Sequence, residues 1–172
     1  QSSETLKKLS LELGGNAPFI VFDDANIDDA VRGVVAAKFR NSGQTCVCVN
    51  RIFAQEGIYD EFVAKLTEAV NNLKVGNGIE ESTQIGPLIH DKAVEKTGAF
   101  VKDALSKGAK LMTGGEKLEG QFFAPTVLTN ATKEMDFYSE ETFAPIAPVF
   151  KFKTDEEAVE MANDTVYGLA SY

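Results

Sequence analysis

The chain has 172 residues, 44% of them hydrophobic, with 17 Lys and Arg against 26 Asp and Glu for a net charge of −9. That is length enough for one domain with a real core. A surface of that sign repels phosphate backbones and anionic lipid, which argues against nucleic acid and membrane as partners. No run approaches about 18 uninterrupted apolar residues, so nothing in the sequence reads as a membrane span. Two cysteines make no disulfide scaffold and fit a reducing, cytoplasmic setting.

The first residue is Gln1, with no signal-peptide pattern after it, and "YGLASY" closes the chain inside what reads as an apolar strand. A fragment of a longer protein is the expectation. Taken in order, "LSLEL" (9–13) and "FIVF" (19–22) read as strands separated by the loop chemistry of "GGNAP". From Ile27 the period lengthens: Val31, Val34, Val35 and Phe39 share a helical face, with Asp28 and Asp29 in the first turn. "RIFAQ" (51–55) is another strand. Tyr59, Phe62, Val63, Leu66, Val70 and Leu73 then carry a helical stripe until "VGNG" stops it.

A Gly-, Ser- and Thr-rich loop (76–87) leads to a third helix, where Val94, Thr97, Phe100, Val101, Ala104 and Leu105 share a face. "AKLMTGG", "FFAPTVLT" and "APVFKF" (147–152) read as strands, and Thr154 with Glu157 forms a capping-box pair for a helix over 155–163. Strands alternating with helices of this length predict an α/β fold, three layers with a largely parallel sheet flanked by helices. With no internal linker, residues 1–172 read as one domain.

The chemistry-bearing residues fall in a few stretches. Cys46 sits in "NSGQTCVC", a turn context after a helix, where backbone N–H groups can stabilise a thiolate or an oxyanion. A small buried hydrophobe is the plainer reading of the same cysteine, and both stay open locally. Zinc or copper is a poor fit, because Cys46 and Cys48 have no second pair and His90, the one histidine, is distant. Glu12 precedes the Gly14-Gly15 turn. It is either a solvated strand-end carboxylate or a general base able to activate water. Gly14 and Gly15 would let a backbone come close to a ligand. "SEETFAP" (139–145) alone is a turn with a packed aromatic. Arg40 either answers a helix dipole or binds a substrate carboxylate. Lys38 reads as solvated, and His90 as a surface residue at the start of the third helix.

Together these stretches resemble the aldehyde dehydrogenase superfamily over essentially the whole chain. "LELGGNAPFIVFDDANIDDAV" is similar to its glutamate signature and "FRNSGQTCVC" to its cysteine signature. "EETFAP" is similar to a later motif, with Ala144 where Gly is usual. The resemblance implies a catalytic domain whose cofactor-binding domain lies upstream, with Cys46 as nucleophile and Glu12 as the base for thioester hydrolysis. It implies NAD or NADP as cofactor, with Glu141 holding the nicotinamide ribose, Phe143 packing near the nicotinamide and Gly14 close by. The Cys46 N–H would serve as an oxyanion donor; Asn16 is not the asparagine that usually joins it.

The cysteine stretch is most similar to the branch acting on succinate semialdehyde, which gives Arg40 the substrate carboxylate. Glutarate semialdehyde, one methylene longer, stays open, since a methylene discriminates by only about 1–3 kcal/mol. In some relatives a cysteine at the place of Cys48 closes a reversible disulfide with the nucleophile; packing is the alternative. No metal is implied, a small aldehyde is the expected partner, and the full-length enzyme is expected to be a homo-oligomer.

Overall fold

The computed structural model describes residues 2–172. The elements run β1 (Ala17–Val21), α1 (Ile27–Phe39), β2 (Val49–Gln55), α2 (Tyr59–Asn71), α3 (Asp91–Ser106), β3 (Lys110–Thr113), β4 (Thr126–Thr129), α4 (Asp136–Ser139), β5 (Ile146–Phe152) and α5 (Asp155–Asn163). The sheet order is β1-β2-β5-β4-β3. β1, β2, β5 and β4 are mutually parallel, and β3 closes one edge antiparallel to β4. Parallel neighbours need crossovers, and α1 supplies the one between β1 and β2.

Side chains cap α1, α3 and α5, whereas α2 and α4 start without a side-chain cap. Asn26 Oδ1 accepts from Asp29 N at 3.1 Å to cap α1, and His90, exposed, caps α3 by accepting from Ala93 N at its Nδ1. For α5, Thr154 Oγ1 accepts from Glu157 N, while Glu157 Oε2 reaches back to the N–H of Lys153 rather than that of Thr154.

Both faces of the sheet are covered except along edge strand β3, which is mostly exposed, so the other strands face two cores. Val21, Val49, Ile52, Ala54, Val127, Ala147 and Val149 meet α1 and α2 through Val31, Val34, Phe62 and Leu66. Phe53, Leu128, Ile146, Phe150 and Phe152 face the other way, onto Val94, Phe100, Val101 and Ala104 of α3 and Phe137 of α4. Central β2, registered as Ile52 opposite Val149 and Phe53 opposite Phe150, is buried from Val49 to Ala54.

Three expectations are corrected. Residues 9–13 form no strand: Leu9, Leu11 and Leu13 are exposed and the segment has no ladder partner. Alternation alone cannot make a strand without another strand to satisfy its N–H and C=O groups. The closing "YGLASY" is likewise not a strand, but Tyr172 makes one parallel bridge to β1, donating to Pro18 O and accepting from Ile20 N, both at 3.0 Å. Leu105 lies outside the buried stripe of α3, at 42% exposure.

Candidate active site

The loop that carries Cys46 begins where α1 fails to continue. Asn41 (φ 50°), Ser42 (φ 56°) and Gly43 (φ 77°) are three successive residues in the left-handed region, a costly run for L side chains. Side chains hold it in place. Asn41 Nδ2 donates to Gln44 O at 3.0 Å, and Ser42 Oγ donates to Gly86 O at 2.9 Å. Gln44 donates to Asn41 O and Pro87 O and accepts from Ile89 N at 2.9 Å. Gly43 must be glycine, since a Cβ there would stand 2.1 Å from Ala144 O.

Cys46 follows in a half-buried turn closed by Cys48 N donating to Thr45 O at 3.0 Å. Among the described residues the Cys46 N–H donates to nothing. Cys48 is buried, its thiol directed at Lys38 O (3.5 Å) and accepting from Thr45 Oγ1 (3.0 Å). Both cysteines are free thiols.

The three sequence stretches meet at Gly15. Its N–H donates to Glu141 Oε1 at 3.0 Å, and a Cβ on it would lie 2.1 Å from Cys46 O. The glycine therefore lets the glutamate-bearing segment lie directly on the Cys46 peptide. Gly14 is less tightly confined, with a Cβ 3.1 Å from the Tyr167 ring and 3.3 Å from Glu141 Oε2. Lys96 of α3 steadies the same loop by donating to Glu141 O at 3.1 Å.

Glu12 and Arg40 are both exposed, and neither side chain makes a hydrogen bond or ion pair among the described residues. Phe143 is 41% exposed with φ 50°, and with Asn41, Gln44, Pro87, Leu88, Ile89 and Gln121 it lines a shallow cleft. No cluster of three His, Cys, Asp or Glu suited to a metal occurs among the described residues.

The expectation for Lys38 is wrong: it is fully buried. Its Nζ donates to Asn50 Oδ1 (3.1 Å) and Thr142 Oγ1 (3.3 Å), and Thr142 Oγ1 donates to Asn50 Oδ1 (2.7 Å). Asn50 Nδ2 in turn donates to Gly15 O at 3.2 Å. Burial pushes the Lys38 ammonium down to about 8, partly countered by the charges of Cys48 and Glu141. The signal was present in the sequence, because Lys38 stands four residues beyond Val34 and seven beyond Val31 on the apolar face of α1.

Arg51, also fully buried, was missed as well. It donates to Asn16 O, Met161 O, Ala162 O and Asp164 O, and its guanidinium lies over the rings of Phe53 and Tyr138. Asn16 donates to Tyr138 O at 2.8 Å, while its Oδ1 is buried without a partner among the described residues.

The α/β sheet thus brings the cysteine turn, the Gly14-Gly15 segment and the Glu141 carboxylate to one point. The chain belongs to the aldehyde dehydrogenase family, whose model matches residues 1–172. It is 56% identical to a glutarate-semialdehyde dehydrogenase of Pseudomonas putida, over all of this chain and 36% of that one. It is 58% identical to a mitochondrial succinate-semialdehyde dehydrogenase of Oryza sativa, over 99% of this chain and 33% of that one. A crystal structure of succinate-semialdehyde dehydrogenase from Burkholderia pseudomallei superposes with a TM-score of 0.95 at 57% identity, covering 99% of this chain and 36% of that chain. The chain thus spans about a third of the length of these relatives.

Proposed function

We propose that these residues are the nucleophile-bearing catalytic part of an NAD(P)-dependent dehydrogenase that oxidises a carboxylate-bearing aldehyde, succinate semialdehyde foremost. The observation that carries this reading is the contact at Gly15, where the glutamate segment, the Cys46 peptide and the Glu141 carboxylate touch. Membership of the family and the names of the relatives support it.

Each residue has a part that its surroundings allow. The Cys46 thiolate adds to the aldehyde carbon, and the uncommitted Cys46 N–H faces the oxyanion that forms on the tetrahedral adduct. Glu141 has one oxygen committed to Gly15 and the other without a hydrogen bond among the described residues. A carboxylate oxygen of that kind suits ribose hydroxyls, and the open face of Phe143 suits a flat heteroaromatic ring. The residues therefore fit a dinucleotide, which when bound supplies the hydride acceptor that makes a thioester of the Cys46 adduct possible. Glu12, unpaired and in solvent contact, takes a proton from the water that frees the acid from Cys46. Arg40, exposed and without an anion among the described residues, pairs with the distal carboxylate of the substrate.

The test uses the full-length enzyme with NAD and with NADP, comparing kcat/KM for succinate semialdehyde, glutarate semialdehyde and butanal, with and without Arg40→Ala. A desolvated Arg–carboxylate contact is worth roughly 2–5 kcal/mol. The reading requires a loss of that size for the two semialdehydes and little for butanal. Equal losses on all three would make Arg40 structural and remove the carboxylate from the assignment. Glutarate semialdehyde is the second reading, favoured by the 56% identical relative, and the wild-type ratio of the two semialdehydes decides between them.

A further inference from the structure

Lys38 is a sealed cation without an anion in contact. Its partners are neutral oxygens, and no carboxylate pairs with it among the described residues. Burying an ammonium in this way is costly, and nothing in the packing demands it, since α1 fills the neighbouring positions of that face with Val31, Val34 and Phe39. What Lys38 does have is position. A closed circuit of contacts runs from Lys38 to Thr142, to the adjacent Glu141, across to Gly15 N, from Gly15 O to Asn50, and back to Lys38. The circuit joins the end of α1, the start of β2, the glutamate segment and the 141–143 loop. Lys38 donates into both arms of it, to Thr142 and to Asn50; Asn50 Oδ1 faces two donors and Asn50 Nδ2 faces a carbonyl, which fixes the amide's orientation.

We propose that Lys38 is a positioning residue for dinucleotide binding, holding Glu141 and Gly15 in register against the nucleophile loop through Thr142 and Asn50. This rests on the role given to Glu141 above. Lys38 itself touches neither substrate nor cofactor; it fixes where the uncommitted oxygen of Glu141 points. Charge-assisted hydrogen bonds are about twice as strong as neutral ones, so the circuit tightens when Lys38 is protonated and slackens as its proton leaves near pH 8. The titratable groups facing the ammonium are the Cys48 thiol, from the loop before β2, and the Glu141 carboxylate, from the loop before β5.

The test is titration of the full-length enzyme with NADH and NADPH, read by nicotinamide fluorescence from about pH 6.5 to about pH 9.5. The proteins are wild type, Lys38→Met and the isosteric Thr142→Val. Alkylation of Cys46 by iodoacetamide is measured alongside. Wild-type affinity should weaken several-fold as pH passes about 8. Lys38→Met should bind about tenfold more weakly at neutral pH and lose that pH dependence, with alkylation changed by less than about twofold. Thr142→Val should lie between the two, and it decides the matter if Lys38→Met does not fold. A merely structural lysine would slow alkylation and binding together and leave the pH dependence as in wild type; that result, or unchanged affinity in Thr142→Val, overturns the proposal. A wild-type enzyme that binds neither dinucleotide would instead sink the reading of Glu141, and the inference with it.

Discussion

Arg51 and Lys38 are both sealed from solvent, and they grip successive residues of one segment: Lys38 holds Gly15 through Asn50, and Arg51 holds Asn16 directly. Their surroundings differ in kind. Arg51 spends its fork on main-chain carbonyls, three of them at the C-terminal end of α5, where a helix leaves its acceptors unpaired. It also stacks on two aromatic rings. Lys38 has two side-chain oxygens and a proton it holds less firmly than an exposed lysine would. One buried cation fastens the fold, and the other keeps the site in register at some cost to the fold, a trade familiar from functional sites.

The contrast can be broken at several points. Arg51→Met should be the most damaging change, because it strands several buried carbonyls together; a loss of roughly 3 kcal/mol or more is expected in urea unfolding. A loss below about 1 kcal/mol would make the two cations alike. Lys38→Met should behave differently with pH. Its folded-state pKa is lowered from 10.5 to about 8, so the unfolded chain holds more protons between those values and wild-type stability rises across that window. Below pH 8 the full penalty, roughly 3 kcal/mol, is present. The stability gap between wild type and Lys38→Met should therefore move toward wild type as pH climbs from 8 toward 10, and a constant gap would contradict the burial argument.

Smaller effects sharpen the picture further. Thr142→Val removes the hydroxyl shared by Lys38 and Asn50 without changing volume, and about 1–2 kcal/mol of unfolding free energy should go with it. Tyr138→Phe removes the hydroxyl that donates to Asp164 Oδ2 on the Arg51 side, and about 1 kcal/mol is expected. Thr154→Ala, at the opposite end of the helix that Arg51 clamps, should cost about 1 kcal/mol. In a double-mutant cycle its effect should add to that of Thr142→Val, since the two share no partner.

The sequence made the helices plain, because Val31, Val34, Phe62, Leu66, Phe100 and Ala104 repeat at helical spacing and Thr154 is a residue type that caps. The motif residues were readable too, and Gly15 brings their segments into contact. What stayed hidden were the two buried cations. A lysine in the last turn beside Arg40 reads as solvated, and nothing marks an arginine in a strand as buried until both faces of that strand are known to be covered. The strand expected at 9–13 failed for a related reason: whether an alternating segment pairs is decided by its neighbour, not by its own period.

Those leucines carry one more consequence. Leu6, Leu9, Leu11 and Leu13 stand bare on an extended stretch with its backbone unpaired. Apolar side chains exposed together in this way favour a covering surface. Glu12 rides in the middle of that stretch. On the role proposed above for Glu12, whatever surface covers Leu11 and Leu13 also sets the surroundings of that base.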